Sequence, residues 1–161
     1  MKLGNIVATY RVIAFIALPV AAHGSGMMEG AVDTLFNLRD QHQANVMKSV
    51  HGVREAMEEG GPRGEQPGES TRHYLERKHN EYKELYLMDK NLCQEQRALK
   101  KIDIEILSKL SPGDPKRHEI AAEINNLSRQ IPATKESALK FGHKAQEFNA
   151  ELNRYNQRHG P

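Results

Sequence analysis

The chain has 161 residues, of which 23 are basic and 21 acidic, for a formal net charge of +2. The two signs are interspersed, so no continuous basic face points to nucleic acid, and polynucleotides are not among the expected partners. Apolar residues make up 38%, Trp is absent and Cys93 is the single cysteine, which excludes an intrachain disulfide framework and suits a helical protein with a thin core.

Lys2 and Arg11 precede the apolar run Val12 to Ala22, after which the chain turns polar at His23, Gly24 and Ser25. This is the layout of a secretory signal peptide over residues 1–22. Val20 and Ala22 lie three and one positions before a cut ahead of His23, and Pro19 breaks the helix just upstream. The run is too short for a hydrocarbon core that needs about 20 residues, and extending it backwards would place Arg11 inside the membrane, so no permanent membrane span is expected. The expected location is therefore exported, either periplasmic or secreted. A second reading stays open, in which the run is an N-terminal helix buried in the fold or in a partner and the protein is cytoplasmic.

Residues 23–58 form an N-terminal helical segment. From about Met28 to Glu58 the apolar residues Val32, Leu35, Phe36, Val46, Val50, Val53 and Met57 fall near one face. The stripe is interrupted from Arg39 to Gln43, and Gly52 costs about 1 kcal/mol relative to Ala, so this helix is less regular than those that follow. Residues 59–71, EGGPRGEQPGEST, hold four glycines and two prolines without an apolar side chain, the composition of a flexible linker.

Residues 72–158 carry the strongest pattern. From Ile120 to Tyr155 a 4-3 spacing runs through Ile124, Leu127, Ile131, Thr134, Ala138, Phe141, Ala145, Phe148 and Leu152, the heptad mark of a helix that lies along another. Upstream, Leu85, Leu92, Leu99 and Ile106 share one heptad position, and Tyr74, Glu81, Met88, Glu95 and Ile102 are assigned the complementary one. Between the two arms, Ser111-Pro112-Gly113-Asp114-Pro115 stops one helix and starts the next, with Asp114 as N-cap and Pro115 at the first helical position. A tight loop between heptad helices dictates an antiparallel αα-hairpin. Its register pairs Ile106 with Ile120, Ile102 with Ile124, Leu99 with Leu127, Met88 with Ala138, Leu85 with Phe141 and Tyr74 with Leu152. The fold class expected is all-α: a long antiparallel, coiled-coil-like hairpin plus the less regular N-terminal helix.

The seam has defects. Glu95 faces Ile131, Leu92 faces Thr134, and Lys78 with Glu81 faces Phe148 and Ala145, while Pro132 removes a backbone donor and bends or interrupts the second arm. A third helix or a partner is expected to cover this region. Leu87, Leu107 and Leu139 also lie off the stripe and need cover.

Candidate chemistry is sparse. Glu76-x-x-His79 matches the carboxylate and histidine step of di-iron bundles, but no second copy exists among the eight histidines. No zinc helix, phosphate loop, dinucleotide fingerprint or nucleophile elbow is present. No enzyme activity, catalytic residue, metal site or cofactor is therefore expected.

The expected role is protein-protein binding or self-association through the hairpin. Leu85, Met88, Leu92, Leu99, Ile102, Ile106, Ile124, Leu127, Phe141, Phe148 and Tyr155 form the seam or the partner-binding surface. An exported assembly subunit, adaptor or host-interacting protein of an envelope or secretion system fits this description. The alternatives are a cytosolic chaperone or stalk-like adaptor that binds an export substrate or motor, and a metal-dependent helical-bundle enzyme.

Overall fold

The computed structural model describes residues 27–58 and 63–160. The run read as a signal peptide lies outside them, as do residues 59–62 of the glycine-rich connection. The described residues form three helices, α1 (Met27–Glu58), α2 (Thr71–Lys109) and α3 (Lys116–His159), and contain no strand. The protein is all-α, and α2 and α3 make the long helical hairpin that the heptads dictate.

The helix ends follow local chemistry. Ser70 opens α2: its Oγ accepts from the His73 amide at 3.3 Å, satisfying one donor that a first turn leaves without a helical partner, and its carbonyl takes the first helical bond, from the Tyr74 amide at 2.9 Å. Asp114 opens α3 in the same way, with Oδ1 accepting from the Lys116 amide at 2.8 Å. The Arg117 guanidinium then reaches back across the loop and donates to the carbonyls of Leu107 and Leu110 at 2.9 and 2.6 Å. It thereby closes the last turn of α2, whose terminal carbonyls would otherwise lack donors.

The chain divides into two compact units. The first takes in the described residues up to Lys48 together with Gln94–Pro132. Phe36 of α1, Ile102 and Ile106 of α2 and Ile120 of α3 form its core, and Val32, Leu35, Leu107, Leu110 and Ile124 pack around it. At the level of Ile106 and Ile120, α1 thus covers the seam. Burying Phe36 in this core contributes about 1.5 to 3 kcal/mol. Leu107, one of the residues needing cover, is half-buried here. The helix runs without a break through the polar stretch from Arg39 to Gln43.

The second unit is Ser49–Cys93 with Ala133–Pro161. Val53, Leu75, Leu85, Leu92, Phe141 and Ala145 are buried in it. Aromatic rings fill the spaces beside the small residues of α3. Tyr82 stacks on Phe148 at 5.7 Å and leans on Phe141 at 6.3 Å, and Tyr74 meets Phe148 edge to face at 6.2 Å. The Tyr74 ring thus reaches Phe148, one turn before the Leu152 set against it in the sequence reading. A Cβ on Gly142 would come within 3.1 Å of the Tyr86 ring, so the absence of a side chain there lets that ring lie against α3. On α2, the Arg77 guanidinium gathers the preceding segment. It pairs with Glu69 and donates to the carbonyl of Gly64 at 3.0 Å, so residues 63–70 carry specific attachments despite a linker composition.

One heptad position of α2 is as expected: Leu85, Leu92, Leu99 and Ile106 are all buried. The complementary position is displaced by one residue. Leu75, Tyr82, Asp89, Gln96 and Asp103 are buried, whereas Met88 is 36% exposed and Tyr74, Glu81 and Glu95 are half-buried. Ile102 remains in the core. Three polar residues at seven-residue intervals occupy the seam, and an apolar pattern search passes over them.

Candidate functional site

Most of the residues expected to form the seam or a partner surface are consumed inside the molecule. Leu85, Leu92, Leu99, Ile102, Ile106, Leu127 and Phe141 are buried, and Ile124, Phe148 and Tyr155 are half-buried. Met88 alone in that set stays exposed. In the second unit it is joined outside the core by Leu87 at 50% and Leu139 at 61% exposure. In the first unit Leu38, Met47 and Ile104 are the exposed large apolar residues.

The densest chemistry lies elsewhere, in the first unit, where α1, α2 and α3 each contribute a charge to one buried cluster. Arg39 sits on the α1 face that carries Phe36, one helical turn further on. Its Nε donates to Asp103 Oδ1 at 2.9 Å and its Nη2 donates to Glu123. Glu119, one turn before Glu123 on α3, stands 3.9 Å from the same guanidinium nitrogen and is largely solvated. The Asp103 side chain has no exposure at all, and Arg39 and Glu123 have very little. Asp103 Oδ2 and Glu123 Oε1 are buried without a hydrogen-bond partner. One cation therefore serves two buried carboxylates, and each keeps an oxygen unpaired.

The electrostatics follow from that count. Burial pushes the Asp103 carboxyl up to about 7, and the neighbouring charge of Glu123 adds to the effect; Arg39 opposes both without cancelling them. Burial also works against the charge on Arg39, but the two carboxylates outweigh it and hold the guanidinium above its ordinary value. One turn along α1, His42 Nδ1 lies 2.7 Å from Glu95 Oε2, and Asn45 donates to the same oxygen at 3.4 Å. The carboxylate expected to be a seam defect is thus used to hold α1. Gln96 Oε1 on α2 and Gln130 Oε1 on α3 are further buried oxygens without partners in this unit.

The second unit holds one buried cation. Lys78 Nζ lies 5.6 Å from the centre of the Tyr82 ring and 6.0 Å from that of Tyr74, with Glu81 at 3.8 Å. Burial lowers its pKa, and the attraction of Glu81 does not restore it. Burial also raises the Tyr82 phenol. His79, the histidine of the di-iron step, has Nδ1 2.9 Å from the Ala145 carbonyl oxygen. That places Nδ1 as a hydrogen-bond donor, the role of a histidine that fastens α2 to α3. Among the described residues no group of three or more His, Cys, Asp or Glu side chains is placed to hold a metal ion, and no helix is long and apolar enough to cross a membrane.

The residues of the buried cluster escaped the sequence reading because each is ordinary by type. Arg39 interrupts an apolar stripe, and Asp103 stands next to an isoleucine that fits the stripe better. The available signal was the seven-residue spacing of Asp89, Gln96 and Asp103 in phase with Leu75 and Tyr82. Comparison of the chain with family models, curated proteins and solved structures gives no match.

Proposed function

We propose that this chain is a non-enzymatic, exported helical protein that works by binding another protein, as an assembly subunit, adaptor or secreted host-interacting protein of an envelope or secretion system. The observation that carries the binding role is the exposure of Leu87, Met88 and Leu139 in the second unit, where the aliphatic and aromatic seam residues already fill the core. Burying a leucine side chain is worth about 1.5 to 3 kcal/mol, so large apolar groups left outside a filled core are natural contact points for a partner. Export rests on the charged, apolar and small-residue order of the first 22 residues.

Site-specific photocrosslinking in the native host tests both parts. A photoreactive residue at Leu139 or Leu87 is expected to give a discrete adduct, while one at the exposed polar position Lys135 gives none, and the intact mass of the product is expected to start near His23 in an extracytoplasmic fraction. Absence of an adduct at both leucines would remove the binding role. A full-length cytosolic product would instead move the protein to the adaptor class inside the cell.

A further inference from the structure

The cluster at Arg39 ties three helices together through charges that do not balance. Arg39 comes from α1, Asp103 from α2, and Glu119 and Glu123 from α3. A single guanidinium between two buried carboxylates leaves one negative charge in excess, and removing such a charge from water is costly. Asp103 Oδ2 and Glu123 Oε1, both buried and unpartnered, are the atoms on which one proton would cancel the excess. We propose that Asp103, Glu123 and Arg39 form a proton-controlled latch, which fastens the first half of α1 across the hairpin when Asp103 holds a proton beside the pair of Arg39 and Glu123 and loosens it when that proton is lost.

The direction follows from linkage. Asp103 binds its proton more tightly when α1 is attached, where its pKa is about 7, than as a free carboxyl with an ordinary value of 3.8. The stabilisation is complete below the ordinary value and is lost as pH rises through about 7. Attachment is therefore firm in mildly acidic medium and weaker in alkaline medium, and the response levels off above about pH 8. What loosening uncovers is the surface of Ile102, Ile106 and Ile120 that Phe36 covers. The other charged contacts of α1 in this unit are His42 with Glu95, and Lys116 over the Phe36 ring at 4.5 Å. The His42 contact also holds α1 to α2, so its contribution is separated by substitution. The latch belongs to the fold and does not depend on export or on the partner's identity.

The test uses the full chain. In the wild type, the 13C-carboxyl resonance of Asp103 should titrate near neutrality. Hydrogen-exchange protection of α1 amides around Arg39, normalised to intrinsic rates, should fall about tenfold between about pH 6 and pH 8. Asp103→Asn, which keeps the shape without the charge, should hold high protection across that range, whereas His42→Gln should leave the tenfold response in place. Glu123→Gln should shift the Asp103 titration downwards, because the neighbouring negative charge is gone. An Asp103 carboxyl that titrates in the ordinary carboxylate range would overturn the proposal, and so would an unchanged pH response in Asp103→Asn. Should a variant fail to fold, the carboxyl titration of the wild type decides alone.

Discussion

Replacing Arg39 by Met removes the cation of the buried cluster while keeping most of the side chain's apolar stem. Two charge-assisted hydrogen bonds disappear, to Asp103 and to Glu123, each worth roughly 1.5 to 3 kcal/mol. More important is what remains, since two carboxylates almost wholly out of contact with water are left without a counter-charge. Breaking a buried ion pair from one side costs about 3 to 5 kcal/mol, and that is the loss expected near pH 8. The cost should shrink towards about pH 5, because the Asp103 carboxyl, which burial already pushes up to about 7, can then take up a proton and reduce the buried charge. Urea denaturation followed by far-ultraviolet circular dichroism at the two pH values measures it, with constant slopes as the check on cooperativity. Exchanging the whole cluster in Arg39→Met, Asp103→Leu, Glu123→Leu should restore stability to within about 1 kcal/mol of the wild type or exceed it, since apolar groups of similar volume replace all three charges. A loss below about 1 kcal/mol for Arg39→Met near pH 8 would refute the reasoning, because that is the value of a solvated surface pair.

Three further outcomes follow from the packing. Leu99→Ala should cost about 2 to 5 kcal/mol, as expected for a fully buried leucine, while Met88→Ala should cost under about 0.5 kcal/mol; denaturant midpoints of the two variants show which heptad position is internal. Arg77→Ala should release residues 63–70 from α2, with tryptic cleavage after Arg63 several-fold faster at about one tenth of the protease that degrades the folded helices. Glu69, which Arg77 holds down to about 2, should return to the ordinary carboxylate range in that variant, so the attachment in the wild type is present above the ordinary value and is lost only as pH falls through about 2. Pro132→Ala should raise the melting temperature, since Pro132 is exposed inside α3 and an interior proline forfeits a backbone bond at a cost of up to about 3 kcal/mol.

The hairpin was legible because its second arm obeys the heptad without polar interruption at the critical layers. Leu127, Ala138, Phe141 and Ala145 all appear in the core, and the loop that fixes the connection carries its own signals in Asp114 and the prolines. Of the two outcomes expected at Pro132, a bend or an interruption, the structure excludes the interruption. The residue lies within a helix assigned without interruption from Lys116 to His159, and Ser128, whose carbonyl loses the amide donor, turns its own hydroxyl onto the Ile124 carbonyl at 2.6 Å.

The polar half of the seam was illegible for a deeper reason. Periodicity searches weigh each residue by its own transfer free energy, and on that scale Ile102 and Met88 outrank Asp103 and Asp89. A charge becomes an acceptable core residue only through a partner that lies far away in sequence, as Arg39 does for Asp103 and Glu123. The pairing is thus a property of three helices together and is written in none of them alone. The same fact explains what such a cluster contributes. Apolar layers tolerate sliding by a turn with modest loss, whereas displacing α1 by one turn would take Arg39 away from Asp103 and Glu123 and leave two buried carboxylates without a counter-charge, at a cost of several kcal/mol. Leucine and isoleucine bring the helices together, and the buried charges decide where along the hairpin α1 must stop.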